Sequence, residues 1–333
     1  MLATTLAASL ALAPPAAAQE APKGAPSPNE IVAAAPAKDW VAIAPSDLLV
    51  MTLAPDRSGN KRQVVIQLMP PPFSQGWIGN IRKLAAAHWW DGLAITRVQD
   101  NYVVQWGDPD AEDKAKAKAL PPGLEANVEA NYSVDTGSDA GSPAAGTLQD
   151  TFESVSEQRG RWRDGEDSLP KTGNYADLES FYRGWPFASN EDQPKAWPIH
   201  CYGMVGVGRN YSPDTGSGAE LYTVIGHAPR HLDRNIALVG RVVEGIEHLS
   251  SLPRGTGALG FYEKPEQRVP IQSIRLASEL PAAEQPRFEY LSTESDSFAR
   301  YADARANRSD PFFIVPAGGA DICNIPVPVR RAM

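Results

Sequence analysis

The chain has 333 residues, 42% hydrophobic and 21% charged, enough apolar content for one large core or two small ones in a globular protein. A formal charge of −9 leaves no extended basic surface, which argues against nucleic acid and acidic membranes as partners. With 27 Gly and 30 Pro, much of the length is expected to be loop or appendage around a single core.

Leu2 to Ala13 form an uncharged apolar run, and Ala16-Ala17-Ala18 precede Gln19. This is the pattern of a secretory signal cleaved after Ala18, although no Lys or Arg precedes the run; a disordered Ala-rich terminus is the plainer alternative. The run is too short for stable membrane insertion. The expected location is periplasmic or secreted. Residues 19–45 are Ala/Pro-rich with little periodicity and read as a flexible linker.

"DLLVMTLA" (47–54) and "RQVVIQLM" (62–69) are apolar runs of strand length separated by "PDRSGNK", a hairpin signature. In "PPPFSQGWIGNIRKLAAAH" the prolines suit a helix start, and Trp77, Ile81, Leu84, Ala85 and His88 share one helical face opposite Asn80, Arg82 and Lys83. The chain then turns at Asp91-Gly92 and returns as strands through "LAITRVQDNYVVQWGDP". From about 110 to 198 periodicity fades, through "DAEDKAKAKALPPG", a Gly/Ser/Asp stretch near 134–147 and "QRGRWRDGEDSLPKTG", and the segment reads as a long insert. Strands resume at "HCYGMVGVGRN", "AELYTVIG" and "RNIALVGRVVEG"; "GIEHLSSL" is a short helix stopped by Pro253, and "RVPIQSIRLASEL" is a further strand. Short strands with two helices suggest an antiparallel barrel or sandwich with helical plugs.

Local motifs are weak. "GTGALG" (255–260) has the letters of a dinucleotide fingerprint, but it follows a helix and Pro253 and leads into "FYEKP", so the strand and helix that give that motif its mechanism are missing. His200, Cys201, His227 and His231 match no zinc spacing. The two cysteines, Cys201 and Cys323, form either a bridge or two buried thiols; spacing leaves both readings open. More informative are Arg97 and Gln105, set among strand-forming apolar residues. Val103 and Gln105 alternate to one face and Tyr102 and Val104 to the other, and an unpartnered amide or guanidinium in a core costs several kcal/mol. The Val103 face is therefore expected to open to solvent or a ligand, unless Arg97 is simply tied to a neighbour such as Asp100.

"VVIQLMPPPFSQGWIGNIRKLAAAHWWDGLAITRVQDNYVVQWGDP" and "GMVGVGRNYSPDTGSGAELYTVIGHAPRHLDRNIALVGRVVEG" together resemble the two signature blocks of the cyclophilin family of peptidyl-prolyl isomerases. The resemblance implies a mainly β fold: an eight-stranded antiparallel barrel capped by two helices, spanning 46–280, with the insert at about 110–198 and a C-terminal extension at 281–333. By position, Arg97 matches the family's catalytic arginine and Gln105 its groove glutamine. Tyr102, Val103, Gly208, Arg209, Glu220, Tyr222, His231 and Leu232 fall on substrate-binding positions. The sequence departs from the family at His231, in place of Trp or Phe, at Ile236, in place of a groove histidine, and at Glu220, in place of Gln. The implied activity is rotation of X-Pro bonds in polypeptide substrates, without metal or cofactor. A cyclophilin-like binding or chaperone module, holding a client through the insert or the extension, is the alternative.

Overall fold

The computed structural model describes residues 24–136, 175–190 and 195–332. The signal-like residues 1–18, the stretch 137–147 and "QRGRWRDGEDSLPKTG" lie outside them. Part of the expected flexible linker is instead ordered. Helix α1 (Pro28–Ala33) starts in a capping box: the Ser27 hydroxyl accepts from the Glu30 amide, and the Glu30 carboxylate accepts from the Ser27 amide at 2.7 Å. Ile31 and Trp40, the latter on β1 (Trp40–Ala42), are buried in a small core with Leu291, Phe298 and Tyr301 of the extension. The Ala/Pro composition hid this segment because its partners lie some 250 residues away in sequence, beyond any local periodicity.

The predicted hairpin pairs β2 (Leu48–Leu53) with β3 (Arg62–Leu68), Leu48 opposite Gln67 and Leu53 opposite Arg62. Asp56 shapes the turn, its Oδ1 accepting from the amides of Ser58 and Asn60 at 2.8 Å each. Helix α2 (Gln75–Ala86) buries Trp77, Ile81, Leu84 and Ala85 as expected. Two residues depart from the helical-face reading. His88 lies beyond the helix with φ of 53° and is exposed. Asn80 is fully buried: its Oδ1 accepts from the Glu125 amide at 2.7 Å and its Nδ2 donates to the carbonyls of Glu125 and Ser217. A buried amide meets three backbone groups there, so the polar face of α2 holds down the insert's first loop.

Strands β4 (Ala94–Val98) and β5 (Val103–Gly107) follow the turn at Asp91-Gly92, where the Asp91 carboxylate accepts two bonds from Arg275 at 2.6 and 2.7 Å. The insert, read as loop, contains a four-stranded sheet of β6 (Val134–Asp135), β7 (Leu178–Tyr182), β8 (Trp185–Asn190) and β9 (Lys195–Pro198), ordered β6-β9-β8-β7. Trp185, Phe187 and Trp197 are almost wholly buried and join the main core. Burial of rings that size contributes about 1.5–3 kcal/mol each, enough to anchor short strands whose sequence shows no long alternation.

Strands β10 (Met204–Val207), β11 (Leu221–Val224) and β12 (Leu238–Glu244), helix α3 (Glu247–Ser250) and β13 (Val269–Leu276) complete the main unit. Eight strands close a barrel in the order β10-β11-β5-β4-β13-β2-β3-β12, every neighbouring pair antiparallel, as the resemblance implied. In the extension, β14 (Phe288–Leu291) pairs with β1 and with β15 (Val329–Arg331), and α4 (Asp296–Ala306) packs against α1. Cys201 and Cys323 are joined as a disulfide, which fastens the extension to the chain three residues before β10, across 122 residues of sequence.

Candidate functional site

A single irregularity answers why Arg97 sits in a core-like strand. Ile95 and Arg97, two residues apart, would normally face the same side of the sheet. Here the register of β4 against β5 shifts between them, Ile95 opposing Trp106 and Arg97 opposing Gln105, so Thr96 is the extra residue of a β-bulge. Ile95 stays fully buried in the barrel while the Arg97 side chain is turned to the outer face, beside Gln105. Along β5, Val104 and Trp106 point inward and Val103 and Gln105 outward, as the alternation required, but the outer face is not open to solvent as expected: Val103 and Gln105 are both buried, covered by side chains of neighbouring strands and loops. Tyr102 does not follow that alternation: it precedes the strand, after Asn101 at φ of 50°, and packs on the same outer cluster as Val103.

The strand registers set one row across the wall: Arg97 on β4 opposite Gln105 on β5, Gln105 opposite Tyr222 on β11, and Tyr222 opposite Gly206 on β10. Arg97 Nη1 donates to Gln105 Oε1 at 3.0 Å, and the amide end of Gln105 donates to Glu220. The Gln105 side chain is thereby oriented by a cation at its oxygen and a carboxylate at its nitrogen. Arg97 also donates through Nε to the Leu259 carbonyl at 2.7 Å and through Nη2 to Gln99. Its guanidinium lies 5.6 Å from the Tyr102 ring centre and 5.3 Å from that of Phe261, within cation–π range. Asp100, the simple ion-pair partner weighed from sequence, binds Arg254 instead.

Beside this polar row, Val103, Tyr222 and Val224 form an apolar cluster with Tyr102, Leu232 and Ile236 packed on it. His231 stacks on Tyr102 with ring centres 6.1 Å apart. On the other side lies a cavity of about 600 Å³ lined by residues including Arg97, Gln105, Glu220, Arg209 and Phe261. Arg209 is held by the Asn235 carbonyl at 2.9 and 3.0 Å. A Cβ on Gly208 would come within 2.8 Å of Glu220, so a side chain there would crowd that carboxylate. Of the predicted residues, Arg97, Gln105, Arg209 and Glu220 line the cavity; Tyr102, Val103, Tyr222, Leu232 and His231 pack together beside them without lining it, and Val103 and Tyr222 are buried there.

Electrostatics follow from burial. Glu220 is pushed above the usual carboxylate range, chiefly by burial and further by the neighbouring charges of Glu112 and Asp108, against the lowering effects of the Gln105 bond and the Arg97 charge. Burial lowers Arg97 somewhat, offset by Tyr102 and Glu220, and the guanidinium stays charged. Burial drives the Tyr222 phenol far above its ordinary value, so it remains a neutral donor.

Several contributors were not singled out from sequence. Leu259, in the left-handed region at φ of 56°, belongs to "GTGALG" and Phe261 follows it directly, in a loop whose backbone runs along β4: Gly255 N donates to Val98 O and Tyr262 N to Thr96 O, both at 2.9 Å. Gly260, at φ of 81°, would carry a Cβ only 2.7 Å from Gln99 Cα, so the motif's glycines serve close packing against the site. Its glycine spacing was the available signal. His200, weighed from sequence only as a metal ligand, and Asp233, which nothing local marked, also adjoin the groove through the Tyr222 hydroxyl.

Residues 64–276 match the family described as "Cyclophilin type peptidyl-prolyl cis-trans isomerase/CLD". Among solved structures, the chain is similar to the cyclophilin AquaCyp293 from Hirschia baltica at 20% identity, with a TM-score of 0.59 over 88% of this chain and 94% of that one. A cyclophilin type peptidyl-prolyl cis-trans isomerase from Cryptosporidium parvum aligns at 11% identity and a TM-score of 0.37, over 69% of this chain and 96% of that one. No curated protein matches. With the closed eight-stranded barrel and a family match over more than half of its length, the chain belongs to the cyclophilin-type peptidyl-prolyl cis-trans isomerase family.

Proposed function

We propose that this protein accelerates cis-trans rotation of X-Pro bonds in proline-containing polypeptides, using the groove built on Arg97, Gln105 and the Val103–Tyr222 wall. The barrier to that rotation, roughly 18–20 kcal/mol, comes from amide resonance, and crossing it breaks no bond. What is needed is a grip on the proline ring and charge stabilisation of the twisted amide, in which the nitrogen regains a lone pair. The apolar cluster of Val103, Tyr222, Tyr102 and Leu232 provides the grip. Arg97, permanently charged, offers N–H groups toward the proline carbonyl and amide nitrogen, and Gln105 aligns the substrate backbone. No metal or cofactor enters this chemistry.

The observation that carries the reading is the bulge at Thr96, which sets a charged guanidinium beside Gln105 and the apolar wall. The test is an X-Pro peptide isomerisation assay on the wild type and Arg97→Ala. Loss of one positioned donor to a developing charge typically costs 10²–10³ in rate, about 3–4 kcal/mol, and that drop is expected. No activity in either protein would favour the second reading, a client-binding module; the large surface added by the insert sheet and the extension supports it. Exported proteins are the proposed substrates, supported by the apolar N-terminal segment and by the joined Cys201 and Cys323, which suit an oxidising compartment.

A further inference from the structure

The Tyr222 hydroxyl is bonded to a buried group behind the groove. It lies 2.9 Å from His200 Nε2, and His200 is only 1% exposed. His200 Nδ1 is 2.8 Å from Asp233 Oδ1, which also accepts from the His200 amide at 3.0 Å. The carboxylate holds the proton on Nδ1, which leaves Nε2 to accept from the Tyr222 hydroxyl. The path continues: Arg230 Nε donates to Asp233 Oδ2 at 2.7 Å, and its Nη2 donates to Glu179 on β7 at 2.5 Å. Asp233, Arg230 and Glu179 are all buried. The extension reaches the same path, with Asp321 4.0 Å from Arg230 and the Cys323 sulfur 3.8 Å from the His200 carbonyl.

Stability alone does not account for such a path, because buried ion pairs replaced by well-packed apolar residues are often as stable or more so. What the path does is fix a geometry. Charge-assisted bonds in a buried path restrain the groups they join, here from Tyr222 in the groove wall to Glu179 in the insert sheet, although Arg230 Nη1 makes no hydrogen bond and meets only the Asp321 carboxylate at 4.0 Å. Room for the hydroxyl comes from Gly206, where a Cβ would stand 2.3 Å from Tyr222 Oη.

We propose that His200 and Asp233 are positioning residues that hold the Tyr222 ring in place for proline binding, and that Arg230 and Glu179 extend this hold to the insert. The proposal rests on the reading of the groove as an X-Pro site. A wall that grips the proline ring alike in the ground and twisted states affects binding rather than turnover, so loosening it raises KM and Kd and spares kcat.

The test uses full-length protein and an Ala-Pro-containing tetrapeptide, with Kd from NMR titration alongside kcat and KM. His200→Phe is expected to raise Kd and KM about tenfold and change kcat less than twofold. In a Tyr222→Phe background the same substitution is expected to do nothing, since the hydroxyl that transmits the hold is gone. Should His200→Phe fail to fold, Glu179→Gln carries the test, with a rise of about threefold in the Tyr222 protein and none in the Tyr222→Phe background. Unchanged Kd in a folded variant, or an equal loss in both backgrounds, overturns the positioning role while leaving the groove reading intact. A wild-type protein that binds no X-Pro peptide overturns both.

Discussion

Replacing Glu220 by Gln probes the polarised row at one of the three positions where the sequence departs from the family pattern. Arg97 bonds one end of the Gln105 amide at 3.0 Å and Glu220 accepts from the other. Crossing one amide sets the two charges roughly 7 Å apart, an attraction of roughly 2 kcal/mol at an effective dielectric near 20. In the twisted amide about half an electron returns to the nitrogen from the carbonyl oxygen; with the nitrogen roughly 10 Å from Glu220 the opposition is at most about 0.8 kcal/mol, a ceiling near fourfold on rate, because the oxygen's loss offsets part of it. Glu220→Gln keeps an acceptor for Gln105 and removes that opposition, so kcat/KM in the X-Pro peptide assay is expected to rise by up to about fourfold at neutral pH. The carboxyl is raised in the folded protein, so its contribution to stability is full at low pH and is lost as pH rises through its folded value. The variant should accordingly resist urea better than the wild type at neutral pH, with the gain fading below the usual carboxylate range. Wild-type kcat/KM should drift upward on acidification through the raised range, while the variant stays flat. An unchanged or lower kcat/KM in the variant, or a stability gain that persists at low pH, would refute the electrostatic reasoning.

Gly206→Ala would place a methyl 2.3 Å from Tyr222 Oη and 2.4 Å from Cζ, displacing the ring. A cost of about 1–3 kcal/mol by urea denaturation and a higher KM are expected, and an unchanged pair of values would show that the wall has slack. Cys323→Ser opens a link spanning 122 residues, for which chain entropy assigns about 5 kcal/mol. Its melting temperature should fall by about 7 °C, matching the reduced wild type, and identical melting of oxidised and reduced protein would contradict a role for the bridge in stability.

The hairpin of β2 and β3, the apolar face of α2 and the strands flanking the groove were legible because each rests on local rules: alternation in strands, a repeat near 3.6 in the helix, and turn residues between them. Those same rules stop where side chains answer to partners distant in sequence. The segment 28–42 reads as tether until Leu291, Phe298 and Tyr301 supply a core for it, and the insert reads as loop until Trp185, Phe187 and Trp197 find the barrel. Arg97 and Gln105 stood out as polar residues in an apolar strand, and their meeting depends on a one-residue bulge that no composition reveals. "GTGALG" showed its glycines, but their use, bringing a loop close enough for Leu259 to accept from Arg97, required the fold. The amino-acid order by itself determined which residues could line a strand or helix and which polar ones had no place in a core. Only the tertiary structure decided which of them face each other, because register, bulges and buried ionic paths such as Tyr222–His200–Asp233 are set by contacts between segments, whose free energy exists only once the chain has closed on itself.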